Sequence, residues 1–126
     1  MKKILLIDDE VDLALSVQQN LQAGGDYEVK VCNDSLQAVA AAAEAKPDLI
    51  LLDVVMPEMM GPEVADHLRQ NPRTENIPVV FLTAMVMGQE AQDRGNVIGG
   101  HFFVAKPVKM AELRRVIEQV LRGNSE

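Results

Sequence analysis

The chain has 126 residues, enough for one domain with a true core, and its 48% hydrophobic and 25% charged content is that of an ordinary globular protein. A net charge of −7 and a pI near 4.8 exclude affinity built on neutralising nucleic-acid phosphates, and equally docking on an anionic membrane surface. No stretch approaches the ~18 apolar residues of a membrane span, and the apolar run of "MKKILLI" stops at Asp8, short of the ~7–15 that a signal peptide needs.

The first predicted strand, Lys3–Ile7, runs through "ILLI" directly into Asp8, Asp9 and Glu10. A helix follows in which Leu13, Val17 and Leu21 recur at one face beside Ala14, stopped by "AGG" at 23–25. Glu10 reads as the start of this helix, where its charge suits the dipole, with an outer-shell role beside the other two acids as the alternative. "YEVKVC", Tyr27–Cys32, alternates apolar and polar residues and reads as an edge strand with one wet face. The second helix starts after Asn33 and Asp34, turns Leu36, Val39, Ala40 and Ala43 inward, and is closed by Pro47.

The third strand, Asp48–Leu52, is a continuous apolar run, as expected when both faces are covered. Gly61 and Pro62 open a third helix that packs Val64 and Leu68. A fourth apolar strand, Pro78–Leu82, precedes the weakest helix, "MGQEAQDRGNVIGG", whose apolar contacts are Ala91, Val97 and Ile98. Its glycines each cost up to ~1 kcal/mol against alanine, which marks this segment as the first candidate for motion. The strand His101–Ala105 leads to the last helix, Met110–Leu121, with the stripe Met110, Leu113, Val116, Ile117 and Val120. The tail 122–126 reads as frayed.

Five strands interleaved with five helices imply an α/β fold, a doubly wound, mostly parallel sheet between helix layers. Residues 1–126 read as a single domain with its core over about 3–121 and no output domain. In such a sheet, ligands bind beyond the carboxyl ends of the strands. Those ends carry Asp8 and Asp9, Asp53, Thr83, and Lys106 before Pro107. Gathered carboxylates repel by ~4 kcal/mol per pair at ~4 Å and a dielectric near 20, so they call for a cation. With few oxygen ligands, Mg²⁺ fits better than a Ca²⁺ cage, and Mg²⁺ beside a lysine and a hydroxyl makes a phosphoryl clamp. A carboxylate can itself be the nucleophile.

The segments "DDE" at 8–10, "DVVMPEMMG" at 53–61, "IPVVFLTA" at 77–84 and "GGHFFVAKP" at 99–107 resemble, in order and spacing, the receiver domain of two-component response regulators. The resemblance implies a flavodoxin-like, CheY-like three-layer sandwich with strand order 2-1-3-4-5. It implies that Asp53 is the phosphoacceptor, taking a phosphoryl group from a sensor histidine kinase or histidine phosphotransfer protein with Mg²⁺. Asp9 is then a direct metal ligand, Asp8 acts chiefly through water, and the Val55 carbonyl completes the protein's share. Thr83 and Lys106 hold the phosphoryl group, the bond to Pro107 is cis, and Phe103 takes the switch-aromatic position. The output surface is the fourth helix, fifth strand and fifth helix, open to an effector or a homodimer partner. The domain catalyses only its own phosphorylation and dephosphorylation, and Val55 and Met85 tune hydrolysis.

Simpler readings exist for each residue. Asp8 and Asp9 can be solvated loop acids, Asp53 a turn residue, Thr83 a helix cap, Lys106 a surface lysine and Phe103 core packing. His101 reads as a solvated strand residue and Cys32 as a small apolar one. A lone Cys32 forms no internal disulfide, and His67 and His101 show no ligand spacing, which favours the cytoplasm. Met56, Met59, Met60, Met85 and Met87 suggest a plastic docking surface. The alternatives are a pseudo-receiver docking module, or an aspartyl-nucleophile Mg²⁺ phosphatase of the haloacid dehalogenase kind. The latter needs a D-x-D pair after the first strand and a cap for which this chain has no spare residues.

Overall fold

A computed structural model of the chain describes residues 1–84, 96–98 and 100–123. The first half comprises β1 (Lys2–Ile7), α1 (Val11–Ala23), β2 (Tyr27–Cys32), a 3₁₀ turn (Ser35–Gln37), α2 (Ala38–Ala45) and β3 (Leu49–Asp53). Then come α3 (Gly61–Gln70), β4 (Val79–Thr83), β5 (Val97–Ile98), β6 (His101–Ala105) and α4 (Met110–Gly123). No helix among the described residues is long and apolar enough to cross a membrane.

Apolar alternation explains how the sheet is covered. On β1, Ile4 and Leu6 join a core layer with Val17 and Leu21 of α1 and Leu113, Val116 and Ile117 of α4. Leu5 and Ile7 face the other way, into a layer with Ala38 and Ala42 of α2 and Val64 and Leu68 of α3. Leu49 and Leu51 of β3 join the first layer and Ile50 and Leu52 the second, so the central strands are apolar on both faces. At the edge, β2 buries Tyr27 and Val29 while Glu28 and Lys30 stay exposed, as its alternation predicts.

The sheet order is β2-β1-β3-β4-β6-β5. The first five of these strands pair in parallel, which is the expected order with β6 as the fifth parallel strand. The sixth is a difference from the sequence expectation. Val97 and Ile98, assigned there to a weak helix, instead pair antiparallel with Phe102 and His101. Both are β-branched and favour extended backbone. Gly100, at φ +83, lies in the two-residue turn that lets the chain reverse. The rest of the expected fourth helix, 87–95, and Met85 lie outside the described residues. The described residues therefore hold four α-helices.

The second helix also turns a different face inward. Leu36 is 55% exposed and Ala40 is exposed, whereas Ser35, Ala38 and Ala42 are buried. The cause is the 3₁₀ turn, capped by Asp34 accepting from the Leu36 N–H, which winds more tightly than an α-helix and resets the phase before α2 begins. Ser35 gains its own partner by donating its hydroxyl to the Pro57 carbonyl at 2.9 Å.

Leu113 is wholly buried where α4 meets the sheet. Leu113→Ala is expected to lower stability by about 2–5 kcal/mol, through lost burial and the cavity left behind. Urea unfolding followed by far-UV circular dichroism measures it, and a loss under 1 kcal/mol contradicts the packing described.

Candidate functional site

The strand order reverses at β1, with β2 on one side and β3 on the other, and the crevice beyond their carboxyl ends is where ligands bind in such sheets. Asp8 follows directly on β1, and its backbone is pinned there. Its N–H donates to the Cys32 carbonyl at 3.1 Å, and its own carbonyl accepts from the Asn33 amide at 2.8 Å. Asp53 ends β3, and Thr83 ends β4. The Lys106 N–H donates to the Thr83 carbonyl at 2.7 Å, which carries the lysine from the end of β6 back over the crevice. The Lys106–Pro107 peptide is cis.

These constraints place one ammonium among three carboxylates. Lys106 Nζ lies 3.0 Å from Asp8 Oδ2, 3.0 Å from Glu10 Oε1 and 3.1 Å from Asp53 Oδ1. Its hydrogen bond is directed at Glu10, while Asp8 Oδ2 is enclosed and makes no hydrogen bond. The other oxygen of Asp8 accepts from the Glu10 N–H at 3.0 Å. Asp8 and Asp53 are 1% and 4% exposed.

One cation cannot balance three anions. Burial first, and the Asp8 charge second, push the Asp53 carboxyl from 3.8 up to about 6, against the pull of Lys106 and the Val55 N–H. Burial pulls the Lys106 ammonium down, but its bonds to Glu10 and Asp8, with Asp53, push it well above an ordinary lysine. The site thus carries a standing excess of negative charge in little water.

Those features fit a hard divalent cation. Oxygen atoms of Asp8, Glu10 and Asp53 lie within 4.8 Å of one another, and the buried Asp8 Oδ2, ion-paired with Lys106, accepts no hydrogen bond among the described residues. Asp9, expected as a direct ligand, is half-buried, does not join that trio and has no ion-pair partner among the described residues. Val55 follows at the rim with 62% of its surface exposed.

Beneath the site, Phe103 stacks on Phe81 with ring centroids 5.3 Å apart. His101, read from sequence as a solvated strand residue, is exposed on β6 and also sets its ring edge-on to Phe81 at 5.9 Å. A cavity of about 200 Å³ lies among Val54, Ala65, Phe81, His101 and Phe103. Of the methionines taken as a docking surface, Met56 is buried in the core, Met60 is exposed, and Met85 and Met87 lie outside the described residues.

Sequence reasoning missed three supports. Glu10 reaches Lys106 rather than only starting α1. Gly61 packs so closely that a Cβ there would sit 2.3 Å from the Asp53 carbonyl oxygen, and its N–H donates to the Val54 carbonyl at 2.8 Å. Asn96, at φ +69, holds Phe103 by both backbone groups and connects through its side chain to Glu112 and Arg115 of α4. A glycine directly before a helix-starting proline was the available signal for the second. Nothing local in the sequence marked the other two.

A doubly wound sheet with this acid, hydroxyl and lysine set at one edge defines a class, and the model of the response regulator receiver domain matches residues 4–118. The chain belongs to that family, the receiver domains of two-component signalling. It is 34% identical to the DNA-binding dual master transcriptional regulator RpaA of Synechocystis, over 97% of this chain and 50% of that protein. It is 35% identical to the phosphate regulon transcriptional regulatory protein PhoB of Rhizobium meliloti, over 97% of this chain and 53% of that one. The chain thus spans about half the length of these relatives. Among solved structures, Vibrio cholerae chemotaxis protein CheY4 matches with a TM-score of 0.79 and 29% identity, covering 95% of this chain and 98% of that one. A response regulator from Desulfuromonas acetoxidans matches at 0.78 and 29%, over 97% and 98%.

The raised Asp53 has a consequence for stability. The folded state keeps its proton to about pH 6 and the unfolded state loses it near 3.8, so stability falls as pH rises between those values. Asp53→Asn is therefore expected to melt a few degrees higher than wild type in metal-free buffer at pH 8, with the gain fading toward pH 4. Thermal melts in EDTA across that range check the sign, and a variant that melts lower at pH 8 contradicts it.

Proposed function

We propose that this chain is a phosphorylation-dependent signalling receiver in which Asp53 accepts a phosphoryl group from a partner's phosphohistidine. The observation that carries the reading is the meeting of Asp53, Asp8 and Lys106 in one buried crevice, with Thr83 tied to Lys106 through the backbone. An Asp53 carboxylate oxygen attacks phosphorus, a P–O bond forms as the P–N bond to the histidine breaks, and the imidazole leaves with the electron pair. Asp8, Asp9, Asp53 and the Val55 carbonyl would hold Mg²⁺. Once bound, the ion would offset the carboxylate charge and accept phosphoryl oxygens as ligands.

Lys106 pairs with a phosphoryl oxygen and the Thr83 hydroxyl donates to another. Burial of Asp53 limits the access of bulk water to the acyl phosphate. The domain therefore serves its own phosphorylation and hydrolysis and turns over no separate substrate. Thr83 moving toward the phosphoryl group draws Phe103 into the space beside it, biasing a two-state equilibrium. The affected surface, β6 and α4, then changes its preference for an effector. Localisation in the cytoplasm accords with the lone Cys32.

Incubation with Mg²⁺ and acetyl phosphate is expected to give a single hydroxylamine-labile adduct, seen by intact mass. Asp53→Asn should abolish it and Lys106→Met should reduce it more than tenfold; an adduct persisting in Asp53→Asn would falsify the assignment. The switch is read separately, by amide exchange of residues 97–105 with and without a beryllofluoride mimic. Protection is expected to change at Phe103, and identical exchange in both states would leave Asp53 a passive acceptor.

A further inference from the structure

We propose that Glu10 is a positioning residue that holds Lys106 in the resting state and competes with the arriving phosphoryl group for it. The inference rests on the reading of Asp53 as phosphoacceptor. Glu10 occupies the N-cap position of α1, yet its side chain makes no capping bond to the helix. Its carboxylate instead extends to Lys106 Nζ at 3.0 Å, the one contact of that ammonium with hydrogen-bond geometry among the described residues. The two buried acids hold Lys106 from inside the crevice, while Glu10, 60% exposed, holds it from the mouth.

A phosphoryl group on Asp53 needs the same ammonium, and it arrives from the mouth. Lys106 has three N–H donors, so the competition is for the position of Nζ: held 3.0 Å from Glu10, it is drawn off that position by a phosphoryl oxygen on Asp53. The hold on Lys106 is therefore a restraint on the reaction as well as an aid to folding. An ion pair with one exposed member is a modest interaction, so the restraint modulates the rate and does not abolish it.

Two variants separate this from a mere charge effect. Glu10→Gln removes the charge and weakens the hold. Glu10→Asp keeps the charge but shortens the reach. Both are expected to form the acetyl phosphate adduct about three- to fivefold faster than wild type, the scale of a partly exposed charge pair. Glu10→Asp at the wild-type rate, with only Glu10→Gln faster, assigns the effect to charge at the mouth and overturns the inference. Slower adduct formation with weaker Mg²⁺ binding overturns it too, and makes Glu10 part of the cation site.

A second measurement is independent of phosphorylation. Urea unfolding in EDTA of wild type, Glu10→Gln, Lys106→Met and the double variant is expected to be non-additive: Glu10→Gln shifts the midpoint only when Lys106 is present. Additive shifts show no hold and sink the proposal. If wild type forms no adduct, the phosphoacceptor reading fails, while the urea cycle still decides whether Glu10 holds Lys106.

Discussion

The arrangement turns on the confinement of more negative charge than one lysine can balance. Asp8 and Asp53 are buried within reach of each other and share the Lys106 ammonium with Glu10. Left in water, these groups would separate and hydrate; here neighbouring strand ends and backbone bonds prevent it. A raised Asp53, a strongly held Lys106 and an unsatisfied Asp8 oxygen are three expressions of that confinement. A site in this condition gains from a cation, and on the proposed reading from a phosphoryl group held by that cation and by Lys106.

The parallel sheet makes the confinement possible. Its central strands are apolar on both faces, so they cannot tilt a polar residue out to water along their length. Polar groups appear only where the apolar run ends, and parallel pairing brings those ends to one edge. The close approach of Gly61 to the Asp53 backbone then folds the following loop against the acid. Core packing and site geometry are therefore one construction, with hydrophobic burial supplying the energy that holds like charges together.

The far side of the site is coupled by backbone bonds as well as by ring packing. Phe103 stacks on Phe81, its β4 neighbour in the sheet, and both of its backbone groups are held by Asn96, whose side chain meets Glu112 and Arg115. Phe103 is thereby linked to α4 through polar contacts of Asn96 that are buried or part-buried. On the proposed reading, this is the route of the switch from crevice to surface. The β5–β6 hairpin, set by Gly100, keeps Asn96 in register with Phe103.

Much of this was legible in the sequence because it is local. Strand runs, the edge alternation of β2, the stripe of α4 and the residues that terminate each strand are properties of a few consecutive positions, and Asp8, Asp53, Thr83 and Lys106 follow from them. What the tertiary structure decided depends on reach and phase. A 3₁₀ turn reset the inward face of α2, and a positive φ turned Val97 and Ile98 from expected helix into strand. Above all, the choice of Glu10 over Asp9 as partner of Lys106 joins residues 96 positions apart. No local pattern encodes that choice, because it is settled by which carboxylate the assembled elements bring within 3.0 Å of one ammonium.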